Sequence, residues 1–289
     1  MRLRFRANIL AVAAAGGVLL SLLVATSFAQ QGQGQGQGQG KGKGKKAKAP
    51  SRPTPHWPDG RVNLGPMPGE KGDWAGSAGT TLASRPGRGI DNNLINLPTN
   101  LLIPDVPFQP WARALYEYRQ EKLTADDPHV RCKASGGPRL YHTPYGFEIV
   151  DVPEMQQIFV MGVGSPHTWR VFYMDGRQHP KDLDSTYHGH SIGHWEGETL
   201  VVDTIGFNER FWFSREGLPH TEQLHLIEKF TRPEYNTLRY EVTIDDPGAY
   251  TKPWSGGWAI PWSNTTDEMY EYMCQENNRD VKHMYGGGE

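Results

Sequence analysis

Apolar residues are distributed in three ways along this chain. An apolar run extends from Ile9 to Ala25. From 53 to 108 apolar periodicity is weak, and Pro66, Pro68, Pro86, Pro98, Pro104 and Pro107 interrupt any long element. Proline fixes φ and removes a backbone donor, so this stretch predicts an irregular arm, either wrapped on the surface or partly disordered. Pro110 then opens a helical pattern over Trp111 to Leu123, with Ala112, Leu115, Tyr116 and Arg119 at helical spacing and Asp126-Asp127-Pro128 as the stop.

Beyond Pro138 the period becomes two. Phe147, Ile149 and Asp151 alternate with Glu148 and Val150, and Ile158, Val160 and Gly162 alternate with Phe159, Met161 and Val163. His167 to Tyr173 is β-branched and aromatic and is followed by the turn signal Asp175-Gly176. Thr199 to Ile205, Glu222 to Phe230 and Leu238 to Ile244 continue the pattern, and Tyr270 to Cys274 reads as a last short strand or helix. About seven short strands with tight connections predict a mainly β fold, an antiparallel barrel or sandwich with one N-terminal helix and a long irregular arm. There is no room for the crossover helices of a parallel βαβ sheet, and no glycine-rich phosphate loop follows a strand.

The first segment sets the address. Arg2, Arg4 and Arg6 precede the apolar run, and Ser27-Phe28-Ala29 offers small residues for a signal peptidase. This is the three-part form of a secretory signal, with cleavage near Ala29 and a periplasmic or extracellular destination. Gln and Gly, then Lys and Gly, alternate after it, a composition that cannot offset the cost of ordering its backbone. The expected organisation is therefore a signal peptide at 1–29, a disordered Gly/Gln/Lys-rich linker at 30–52, an arm at 53–108 and one β-rich domain at 109–285.

Charge changes that picture in one respect. The net charge of −2 combines a leader and linker with nine basic and no acidic residues and a body, 53–289, with 21 basic and 32 acidic ones. An acidic body argues against nucleic-acid binding there. The five linker lysines suit, at most, weak contact with anionic surfaces. Two cysteines, Cys132 and Cys274, exclude an all-thiolate zinc site, and in an exported chain such a pair suits a disulfide.

Candidate chemistry centres on histidine. Seven of the eleven histidines lie between His167 and His225. His188, His190 and His194 share parity in an extended chain, and an HxH pair on a strand can hold a divalent metal such as zinc or copper. Gly189 and Gly193 argue for a loop instead. His188, His190, His225 and Glu222 are the candidate acid–base groups. His167, Arg170, Tyr173, Tyr145, Trp169 and Asp203 are the candidate ligand contacts; an inward Arg170 needs a partner, and so does Asp203 if buried. Nine tryptophans, three of them between Tyr250 and Trp262, suit core packing, a ligand pocket or sugar stacking. Gly189-His190-Ser191-Ile192-Gly193 matches a nucleophile-elbow pattern but lacks its strand-to-helix context.

The strings DDPHVRCKASGGPR, GHSIGHWEGETLVVDTIGFN, PHTEQLHLIEKFTR and TIDDPGAYTKPW together resemble a family of exported bacterial proteins, over Pro107 to Asn278. That resemblance implies export and carries no activity with it. At the level of fold alone, WEGETLVVDTIGF and the hairpin after it resemble lipocalin-like barrels, and fold analogy does not assign chemistry. The leading functional expectation is an exported barrel binding a small molecule in a His-rich cavity. The alternatives are a non-redox hydrolase, lyase or isomerase using the histidine cluster, with or without a metal, and a secreted polymer- or protein-interaction module.

Overall fold

A computed structural model describes residues 51–76, 80–84, 97–122, 125–163, 168–264, 269 and 272–274. The signal and nearly all of the linker lie outside these residues, as does His167. The helix α1 spans Pro110–Glu121 with proline in its first turn. Its Ala112 and Tyr116 are buried, and Tyr116 stacks on Phe108 at 5.6 Å. Arg119 ties its last turn to the carbonyl of Gly217 at 2.9 Å.

Nine strands close into one barrel in chain order, so the fold is a barrel and not a sandwich. They are β1 (Asp73–Trp74), β2 (Phe147–Val152), β3 (Gln157–Gly162), β4 (Trp169–Tyr173), β5 (His190–Glu196), β6 (Thr199–Ile205), β7 (His225–Glu234), β8 (Thr237–Asp245) and β9 (Trp254–Ser263). Closure removes the exposed edges of an open sheet. Eight of the nine seams are antiparallel. The exception is β4 with β5, where Phe172 faces Ser191 and Tyr173 faces Ile192 in parallel. The connection, 174–189, makes this step without a helix.

The arm does more than wrap the surface, because it supplies β1. Trp74 pairs with Phe147 on β2 and Trp262 on β9. Its indole donates to the Leu64 carbonyl at 2.7 Å. At the other end of the chain, the described part of the segment expected to form a last strand or helix, Tyr272–Cys274, is irregular. Cys274 is bonded to Cys132, their Cα atoms 5.7 Å apart.

Strand alternation sends Phe147, Ile149, Val160, Phe172, Leu200, Val202, Leu226, Phe230, Tyr240 and Trp258 inward, all at most 2% exposed. A short 3-10 segment, Gly137–His142, is buried along its whole length and adds Leu140 and Tyr141 to this interior. Tyr141 packs its ring against Phe147, Phe230 and Tyr240 at 4.8–5.3 Å. The middle of the barrel is therefore packed with protein side chains.

Candidate functional site

Two polar constellations sit on opposite faces of the same strands. The inner one is built on Arg170 of β4 and Glu228 of β7, which form a fully buried two-bond ion pair at 2.9 and 2.6 Å. Arg170 also donates to Tyr141 at 2.8 Å, Ser191 at 3.2 Å and Thr204 at 3.1 Å. Tyr240 donates to Glu228 at 2.9 Å. A buried charge is tolerated when it is paired and hydrogen-bonded; the Glu228 carboxylate meets that condition, and the Arg170 guanidinium meets it through both terminal nitrogens, while its Nε is buried without a partner. Burial raises the phenols of Tyr141 and Tyr240 well above the usual tyrosine range, so both remain protonated, Tyr240 as a donor to Glu228 and Tyr141 as an acceptor from Arg170.

Ser191 belongs to this inner network. It lies within β5 and receives the Thr204 hydroxyl at 2.9 Å. A nucleophile elbow would expose that serine at a strand-to-helix turn; here it is 2% exposed and strand-bound.

The outer constellation arises from the register. Tyr173 lies opposite Ile192, Ile192 opposite Asp203, and Asp203 opposite Ile227. His190 and His225 stand two residues before Ile192 and Ile227, so both are diagonal same-face neighbours of Asp203, within reach of long side chains. His179 joins them from the connection between β4 and β5. Its Nδ1 lies 2.9 Å from Nδ1 of His190, and its Nε2 lies 3.1 Å from Oδ1 of Asp203. His225 places Nε2 on the same oxygen at 2.9 Å. The ring of His190 stacks on Tyr173 at 5.0 Å. Arg177, paired with Asp175 at 2.5 Å, covers Tyr173 at 4.0 Å.

The proton positions follow from the acceptors. A carboxylate only accepts, so His179 and His225 both donate from Nε2. A neutral His179 then has a lone pair at Nδ1, and His190 must donate to it from its own Nδ1. That leaves Nε2 of His190 as a base, and no hydrogen bond engages it among the described residues. Desolvation lowers the pKa of His190, and the neighbouring His179 and Arg177 lower it further, against a smaller opposing effect of Asp175. Arg177 holds the Asp175 carboxyl at about 2.

The three histidines of the HxH reading are not brought together. Gly189 has φ +66°, a left-handed turn that separates His188 from the strand. Both ring nitrogens of His188 are shielded from solvent without a partner, and burial lowers its pKa to about 3. His194 does share the outward parity of His190, but it pairs with Glu196 at 3.2 Å. Among the described residues no three His, Cys, Asp or Glu side chains gather as metal ligands. Glu222 accepts from Ser185 at 3.2 Å and is not part of the cluster. Trp169 is exposed on the outer wall, and Tyr145 packs against Tyr272 at 5.2 Å. His190, His225, Asp203 and Tyr173 thus converge, whereas Arg170 turns inward to the ion pair.

Two contributors escape sequence reasoning for different reasons. His179 sits in irregular chain, where parity assigns no face. Glu228 was readable in principle, because it occupies an inward position between Leu226 and Phe230 and so requires a partner. No family model, curated protein or solved structure matches the chain.

Proposed function

We propose that this is an exported acid–base enzyme of the non-redox kind, acting on a small polar molecule at the outer wall of the barrel. The observation that carries this reading is the unbroken hydrogen-bond chain His190–His179–Asp203–His225. His190 takes a proton from the substrate at Nε2 and passes one from Nδ1 to His179. The positive charge then rests on His179, against the Asp203 carboxylate, and the reverse transfer delivers the proton to the product. Asp203 and His225 are positioning residues, Tyr173 is the wall beside the base, and Arg177 offers a cation to an anionic substrate. General acid–base catalysis of this kind contributes about 10²–10⁴-fold.

The leader at 1–29 and the Cys132–Cys274 bond support export. An intact-mass measurement on secreted protein is expected to give a chain beginning at Gln30.

A panel of esters, lactones, phosphate monoesters and β-hydroxy acids tests the activity, comparing wild type with His190→Gln and Asp203→Asn. At least one substrate is expected to be turned over, with kcat lower by at least about 100-fold in H190Q and KM changed little. Turnover nowhere above the H190Q rate sinks the enzyme reading. The packed interior favours a second reading, simple binding of the same kind of molecule on this wall. It predicts saturable shifts of the His190 ring signals without turnover.

A further inference from the structure

The outer wall beside His190 carries an apolar strip that the histidine chain does not use. On β4 Arg170 and Phe172 are buried inside, so Trp169, Val171 and Tyr173 face out, and on β3 Gln157, Phe159 and Met161 face out. Phe159 lies opposite Val171, and Met161 opposite Trp169. Val150 of β2 lies opposite Phe159 and continues the row. Phe172 faces Ser191 in the parallel pair, which puts Val171 beside His190, one residue back on each strand. The row therefore runs from the base across Val171 to Phe159, two strand spacings or about 10 Å.

These side chains are open to a ligand. Trp169 is 61% exposed and Met161 39%, and Val150, Phe159 and Val171 are half-buried. Among the described residues no aromatic ring or cation stacks on Phe159 or Trp169. Tyr173 is covered by His190 and Arg177 and takes no part in the strip. Glu148, opposite Met161, and Gln157, opposite Tyr173, form a polar rim. An exposed apolar surface rimmed by polar residues marks an interaction site. Its size decides the kind of partner. A stable protein interface draws on about 20–30 residues a side, far more than this strip offers. An anionic lipid surface repels a body with 21 basic and 32 acidic residues.

We infer that the substrate of the His190 site carries an unbranched aliphatic chain, which lies on this strip while the polar reacting group meets Nε2. The inference rests on the acid–base reading and adds that the small polar molecule is polar at one end only. A row two strand spacings long and one side chain wide fits a chain better than a ring. Glu148, on the same face as Val150 and two residues away, disfavours a chain that ends in a second carboxylate.

The test has a kinetic arm and a binding arm, both on the secreted mature chain. The kinetic arm compares two-carbon and six-carbon members of whichever substrate class is turned over. The longer one is expected to have a kcat/KM at least about tenfold higher, and Phe159→Ser and the exposed Trp169→Ala each bring that ratio close to one. The binding arm titrates ethanol and 1-hexanol, which do not react, by NMR. Hexanol is expected to shift the Trp169 indole, which Trp169→Phe assigns, and the His190 ring with a single Kd, at least about tenfold below that of ethanol. Equal kcat/KM at the two lengths, or a ratio that both variants leave unaltered, overturns this inference and leaves the acid–base reading standing. If no class is turned over, the acid–base reading fails and the titration decides whether the strip holds the chain of a bound molecule. Equal affinity for the two alcohols, or a Trp169 shift with His190 unmoved, then overturns it. Trp169 signals that broaden with protein concentration alone give the strip to a second copy and overturn it too.

Discussion

Buried imidazoles give this protein a pH dependence whose sign is fixed by their surroundings. Burial holds His142 and His188 near 3 and His220 near 4. The neutral His220 donates from Nε2 to the Asn208 carbonyl at 3.0 Å and packs on Phe211 at 4.5 Å. In the unfolded chain a histidine titrates near 6.5. Between the two values the unfolded chain binds protons that the folded one refuses, so stability rises with pH across that interval. It is fully present above about 6.5 and is lost as pH falls toward 3–4, by on the order of a few kcal/mol per imidazole. Urea midpoints are therefore expected to drop steadily from pH 7 to pH 4. Replacing His220 with Gln, which keeps a donor for Asn208 but does not titrate here, is expected to flatten that slope. Midpoints that hold level over the interval, or an unchanged slope in the variant, contradict the account.

At the scale of elements, the strands that read clearly in sequence are the ones whose inward apolar residues recur at every second position, such as Phe147 and Ile149, Ile158 and Val160, Leu200 and Val202, and Leu238, Tyr240, Val242 and Ile244. β2, β3, β6, β7 and β8 are of this kind. β9 escaped notice because Gly256, Gly257 and Pro261 obscure its period, and its tryptophans read equally well as pocket lining. The structure gives those glycines a reason. A Cβ on Gly257 would lie 2.2 Å from the Tyr240 carbonyl oxygen on β8, and one on Gly256 would lie 2.6 Å from that of Leu82. Backbone atoms in a paired strand cannot move aside cheaply. Gly257→Ala is expected to destabilise the fold by about 2–4 kcal/mol, measured as a lower urea midpoint with an unchanged m-value. A variant within about 0.5 kcal/mol of wild type would mean that β8 and β9 separate more easily than their register suggests. Half of the outer site was legible by the same logic. Parity places His190, Asp203 and His225 on outward faces, but the order of the strands around the barrel, which parity does not give, brings them together. His179 needed the path of an irregular connection.

For the whole molecule, the barrel class, the arm and the candidate disulfide were readable from the chain, whereas the occupancy of the barrel's interior was not. That depends on Gly137–His142 entering the lumen, which no local pattern announces. Closure of the barrel also has an uneven strength. β8 and β9 meet over eight residue pairs, but β1 joins β9 through two and β2 through one. Like the parallel β4–β5 seam, which also rests on two pairs, the seam is thin where the first and last strands meet. Cys132 precedes β2 and Cys274 follows β9, so their bond ties the chain on both sides of that seam across 142 residues of sequence. In the chain-entropy account a loop of this length contributes about 4–5 kcal/mol. Reduction, or a Cys132→Ser, Cys274→Ser double variant, is expected to lower the urea midpoint by a corresponding amount. Hydrogen exchange should locate the effect, with protection lost first at Trp74, Phe147 and Trp262 and retained longest along β6 to β8, where the strands pair over six to eight residues with one register shift between Thr231 and Glu234. If the reduced and oxidised proteins melt together, the seam is held by packing of Trp74 and Trp262 alone. If protection falls uniformly, the barrel opens as one unit and the thin seam is not its weak point.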